Sequence, residues 1–295
     1  MMRASDERNK LPDRRHFLMR SLSLVFGYLV AVDRLRACPA EDSSLAKFAG
    51  ILDELRRDPV LANSMRSKIA LAEAFTAGLE RAPIRAKKST TPISPRASDL
   101  IVACEVTSER VYTARYESPV WPGGASGVTV GIGYDTGYVT SDDLAGDWKG
   151  YLDSDSIRAL SVACGETGTR AKTIIKQLPP VTVSWEIAQR QYSEEVRPRY
   201  VGLTQSVLVN TASLSADSLG ALVSLVYNRG ASFRLADERY KEMRNIREHM
   251  ASKNFDRIPS EIRAMTRLWK DQANLRGLVL RREAEANLFE LGLQS

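Results

Sequence analysis

Glu105 stands in an apolar setting, Ile101-Val-Ala-Cys-Glu105-Val106, and Ile101, Cys104, Val111 and Tyr112 recur at threes, fours and sevens. That spacing is helical, so it predicts a carboxyl embedded in the apolar face of a helix. From Val128 to Tyr134, Val, Ile and Tyr alternate with Thr129, Gly131 and Gly133. The alternation predicts a strand with one apolar face, and a second face made of a hydroxyl and two bare backbone positions. Alternate glycines weaken a strand but let something flat approach its backbone closely. A carboxyl on an apolar helix facing such a strip suggests a saccharide site.

Cleaving a glycosidic bond requires a proton for the leaving oxygen, and charge or water on the other face of the sugar. Glu105 suits the first task, because burial keeps a carboxylic acid protonated near neutral pH. Glu109, one helical turn on, reads as a solvated neighbour. For the second carboxylate the candidates are Asp135 and Glu117, with Asp135 preferred because it shares the strand parity of Thr129. Six residues of straight strand would separate those two by about 20 Å, so Asp135 can serve only if the chain turns near Gly133. The other reading of Asp135 is a turn residue bonded to its own backbone.

Composition narrows the alternatives. The chain has 295 residues and a net charge of +6. Residues 1–98 hold 18 Lys+Arg against 11 Asp+Glu, and residues 99–295 hold 24 against 25. The basic character is N-terminal, which argues against a nucleic-acid-binding domain. His16 and His249 are the only histidines, and Cys38, Cys104 and Cys164 lack metal-ligand spacing. Carboxylates therefore remain as the acid–base groups, and the expected chemistry needs no metal or organic cofactor. Gly131-Ile-Gly133 is not a dinucleotide fingerprint, and Gly124-Ala-Ser126-Gly127 is one residue short of a nucleophile elbow.

Glu105, Tyr112 seven residues later, a loop, and Thr129-x-Gly131-x-Gly133 resemble the catalytic core of phage-type lysozymes and endolysins. The segment from Trp121-Pro-Gly-Gly through Ser126-Gly-Val-Thr129 to Tyr134-Asp135 resembles the branch related to the pesticin muramidase domain. Leu219–Gly230 is similar to that superfamily's buried central helix, and Gly277–Glu285 to its last helix. The resemblance implies that Glu105 is the general acid and that Thr129 helps position the attacking water. It implies that Arg281, with Arg282 as the alternate, lies near the glutamate. The loop before Thr129 departs from the pattern: Pro119–Val128 contains no acid where many relatives carry an aspartate. Around these residues, Gly131, Gly133, Tyr134, Asn228 and Arg229 are candidate substrate contacts, and Trp121 is a candidate sugar-stacking ring. Packing is the alternative for Trp121, and a helix C-cap for Asn228-Arg229-Gly230.

The elements that would position these residues are mostly helical. Residues 1–40 resemble a twin-arginine signal peptide: Arg14-Arg15-His16-Phe17-Leu18 precedes the apolar run Ser21–Val32, which is short for a membrane span. An N-terminal anchor is the alternative. Residues 41–82 carry two apolar stripes, one through Leu45, Phe48, Ile51, Leu52 and Leu55 and one through Val60, Met65, Ile69 and Phe75, and predict a helical hairpin. Residues 83–98, with Lys87, Lys88, Pro92 and Pro95, have linker composition. The main domain, 99–295, is expected to start with Ser98 as a helix cap. Helices are expected at 154–163, 167–178, 185–195, 216–229, 236–252, 258–272 and 277–291. The fold class is therefore α+β and mostly α, a lysozyme-like domain with a small β-hairpin region packed on a helical bundle. The expected partner is the peptidoglycan glycan strand, in the periplasm or outside the cell. If signal cleavage removes Cys38, an oxidising compartment would permit a Cys104–Cys164 bridge.

Overall fold

The computed structural model describes residues 39–58, 61, 86–124 and 126–295. The chain divides into Met1–Asp42 and Ser43–Ser295. Of the first unit only residues 39–42 are described, the opening of helix α1 (Pro39–Arg57). Residues 1–38 of the signal segment and the second apolar stripe lie outside the described residues. Among the described residues no helix is long and apolar enough to cross a membrane.

The second unit is α+β and mostly helical. Helix α2 (Pro95–Val106) begins at Ser94, whose hydroxyl accepts from Ala97 N at 3.1 Å, with Pro95 preset for the first turn. The expected cap at Ser98 thus lies inside the first turn, because Ser94-Pro95 is the stronger start signal. Helix α3 (Glu109–Arg115) is capped by Ser108. Strands β1 (Thr129–Val130) and β2 (Tyr134–Asp135) pair antiparallel, Thr129 opposite Asp135 and Val130 opposite Tyr134. The predicted strand 128–134 is therefore a hairpin. It folds back because Gly131 (φ +59°) and Gly133 (φ +74°) adopt the left-handed conformation that other residues avoid.

Five helices follow: α4 (Ser141–Trp148), opened by a Thr140–Asp143 capping box, α5 (Ser154–Ser161), α6 (Gly168–Ile174), α7 (Trp185–Gln191) and α8 (Arg197–Val207). A π-helical segment, Tyr192–Val196, joins the last two. Helix α9 (Ala216–Arg229) is the central element, with every residue from Asp217 to Val226 buried. One of its faces, Leu219 and Val223, packs with Val130, Ile132, Trp148 and Tyr192 beneath the hairpin. The other, Ala221, Leu222, Leu225 and Val226, packs with α10 (Lys241–Ser252), α11 (Ile258–Ala264) and α12 (Arg276–Leu293). Gly220 lets α2 approach α9: a Cβ there would stand 2.2 Å from the Ala97 Cβ.

Two N-terminal segments belong to this body. Phe48, Leu52 and Leu55 of α1 are buried in the same core as Trp269 and Leu278. Residues 86–94 lie along α8: Ser89 N donates to the Pro198 carbonyl at 3.0 Å, and the Gln205 amide to Thr91 Oγ1 at 3.0 Å. Cys104 and Cys164 are both free, which corrects the disulfide expectation. Cys104 is packed inside the helical core, whereas Cys164 lies against the cluster beneath the hairpin.

Candidate active site

Helix α2 carries Glu105 in its last turn. Leu100, Ile101, Ala103, Cys104 and Val106 are buried and fix the helix on the bundle, leaving the Glu105 side chain 17% exposed. Glu105 Oε1 accepts from Arg281 Nη1 at 3.0 Å. Its Oε2 faces the hairpin, where a Cβ on Gly133 would stand 3.3 Å away. The chain leaves α2 through Thr107, a β-branched residue at φ +70° whose buried hydroxyl has no partner among the described residues. Ser108 N closes a three-residue turn onto the Val106 carbonyl at 2.8 Å. Such turns are strained, and this one sits two residues from Glu105.

The hairpin is fastened above Glu105 by α9. The Tyr227 hydroxyl donates to the Ile132 carbonyl at 2.8 Å, and its ring stacks on Tyr200 at 4.1 Å between centroids. Burial pushes the Tyr227 hydroxyl well above its ordinary range, so it remains a donor. On the far side, the Tyr134 hydroxyl donates to Asp147 Oδ2 at 2.9 Å, and Arg199 pairs with the other oxygen of that carboxylate.

Thr129 and Asp135 are brought opposite one another by the strand register. The turn that Asp135 required is therefore present. Its carboxylate accepts from Gly127 N at 3.0 and 3.2 Å and from Gly137 N at 2.9 Å, which ties the loop before β1 to the turn after β2. Glu117 lies on another side, beside Tyr112: burial first, and then its charge, pushes the Tyr112 hydroxyl up.

The remaining candidates are dispersed. Gly131 faces the Trp148 ring, 3.0 Å from where a Cβ would be. Tyr134 is buried against Trp148 with rings edge to face. Trp121 is half-buried, donates to the Ser126 carbonyl at 3.0 Å, and has the Lys172 ammonium 5.5 Å over its ring. Asn228 Oδ1 accepts from Arg282 at 3.0 Å. Arg229 donates to the Arg239 carbonyl at 2.8 Å and lies over the Tyr240 and Trp269 rings.

Three contributors lay outside the sequence-based set: Tyr227, Ser224 and Glu285. Arg281 Nε donates to Glu285 Oε1 at 3.1 Å, and Arg281 Nη2 to the Ser224 carbonyl at 3.0 Å. The available signal was spacing, since Arg281 and Glu285 are four apart on one helix. Chemically, the arrangement sets a carboxyl, a buried guanidinium and a hydroxyl–carboxylate pair around one hairpin.

Residues 147–285 match the family model described as Phage lysozyme. The match spans α9 and α12 through Glu285, and lies wholly C-terminal to Glu105 and the hairpin. It supports the phage lysozyme superfamily and, at the family level, a glycoside hydrolase acting on peptidoglycan. No curated protein matches the chain.

Proposed function

We propose that the chain is a muramidase that hydrolyses the bond between N-acetylmuramic acid and N-acetylglucosamine in peptidoglycan. Glu105 gives its proton to the glycosidic oxygen as the C1–O bond breaks. Thr129 and Asp135 place a water for attack on C1, and Asp135 takes the proton that water loses. Residues 1–40 would direct the protein across the inner membrane to the wall.

The observation that carries this reading is the closeness of Glu105 Oε2 to Gly133 of the hairpin whose paired strands hold Thr129 opposite Asp135. One oxygen of the acid is held by Arg281, and the other faces the hairpin that carries Thr129 and Asp135. A second reading, a lytic transglycosylase, is favoured by the Asp135 carboxylate being taken up by Gly127 N and Gly137 N. Such an enzyme needs the acid but no activated water.

The test is release of reducing ends from purified peptidoglycan by residues 41–295, beside Glu105→Gln. Removing a general acid is expected to cost about 100-fold or more. Equal release by both proteins would remove Glu105 from the role. Anhydro-sugar ends in the products would replace the hydrolase with the transglycosylase. Binding without release by either would leave a wall-binding protein.

A further inference from the structure

Glu285 is fully buried, and so are Arg281 and Arg282 beside it. Its Oε1 accepts from Ser224 Oγ at 2.7 Å, Arg281 Nε at 3.1 Å and Arg282 Nη2 at 3.0 Å. Its Oε2 pairs with Arg282 Nε at 3.0 Å. Burying two adjacent guanidiniums without a counter-charge is costly, so one carboxylate serves both.

The consequence reaches Glu105. Arg281 Nη1 donates to Glu105 Oε1 at 3.0 Å, so the place where that guanidinium is held decides where the acid points. Without Glu285, Arg281 and Arg282 would lose the buried carboxylate they share. The groups that face this cluster come from each neighbouring element. Cys104 lies on α2, and Tyr192 and Tyr227 lie on the π-helical segment and α9. Burial keeps all three protonated near neutral pH. Asn228 accepts from Arg282, and Arg229 adds a further positive charge near it. Arg282 itself is pushed down to about 10 by burial, against the pull of Glu285.

We infer that Glu285 is a positioning residue for Glu105: with Ser224 it fixes the Arg281 guanidinium, which in turn holds Glu105 Oε1 and leaves Oε2 facing the hairpin. This rests on the muramidase reading. It makes Arg281 and Glu285 one device, in which the glutamate holds the arginine and the arginine orients the acid.

The test is steady-state kinetics of the 41–295 chain carrying Glu285→Gln, Glu285→Asp or Ser224→Ala, with Glu105→Gln alongside, each measured well below its melting temperature. Glu285→Gln leaves Arg281 less firmly held, so kcat is expected to fall by about tenfold while KM changes little. Glu285→Asp keeps the charge and is expected to retain more of kcat. A structural role alone would lower the melting temperature and leave kcat of the folded protein at the wild-type value. If Glu285→Gln does not fold, a lower kcat in Ser224→Ala, which removes the serine hydrogen bond on this carboxylate, carries the test. An active wild type, an inactive Glu105→Gln and an unchanged kcat in the folded variants would overturn this inference alone. An inactive wild type would overturn the muramidase reading and this inference with it.

Discussion

Gly133 and Glu105 meet where a side chain would intrude. A Cβ at Gly133 would stand 3.3 Å from Glu105 Oε2 and 3.1 Å from the Tyr227 hydroxyl, on a backbone at φ +74°. Gly133→Ala is therefore expected to lose about 1 kcal/mol or more of stability from the backbone alone. It is also expected to lose at least tenfold in reducing-end release, because the methyl presses on the acid. Gly131→Ala has a similar backbone penalty at φ +59°, but its Cβ meets the Trp148 ring at 3.0 Å. It should match the first variant in thermal melting and keep most of the activity. Equal activity losses in the two would separate the Gly133 contact from catalysis.

Tyr227→Phe tests the fastening of the hairpin. The ring stays stacked on Tyr200, but the Ile132 carbonyl loses its 2.8 Å donor. The expected cost is about 1–2 kcal/mol in denaturant unfolding. The hairpin is then held less firmly over Glu105, so kcat should fall more than KM rises. Unchanged kcat would mean that the register of β1 and β2 alone sets the geometry.

Legibility in the sequence followed the kind of interaction involved. The apolar periodicity of 216–229 and 277–291 located α9 and α12, because packing of a whole helix face leaves a repeating signal. A small hairpin region was expected, but the alternation of 128–134 runs straight through its turn, because alternation records which side a residue faces and not the sign of φ at Gly131 and Gly133. Residues 86–94 read as a linker by composition, yet they dock through backbone bonds. Gly202 allows that approach, since a Cβ there would collide with the Lys87 carbonyl. Contacts of this kind leave no side-chain pattern. Thr129 and Asp135 were legible as types, while their pairing was conditional on a turn near Gly133, which the strand register supplies.

Helix α1 is expected to be needed for a stable fold. Phe48 is 2% exposed and Leu55 0% exposed, in the same core as Trp269 and Met265. Leu55→Ala should cost about 2–5 kcal/mol. A chain beginning at residue 84 would uncover that part of the core and should melt well below the 41–295 chain. Equal melting temperatures would show that α1 contributes little to the stability of the bundle.

Alkaline stability gives a test of the Cys104 environment. Burial pushes its thiol from the ordinary 9.0 up to about 12. The folded protein therefore holds that proton more tightly than the unfolded chain does. The resulting stabilisation is complete below the unfolded value near 9 and is lost as pH rises from there toward 12. Cys104→Ala has no such proton. At pH 8 it is expected to be less stable than wild type by about 1–2 kcal/mol from the lost packing. Above pH 9 the gap should narrow by about 1 kcal/mol per pH unit, because the wild type alone carries the thiol's penalty. Urea midpoints of both proteins at pH 8, 9, 10 and 10.5 would show it. A constant gap over that range would mean that water reaches the thiol, and that the core between α2 and α12, where Arg281 and Glu285 sit, is looser than the packing implies.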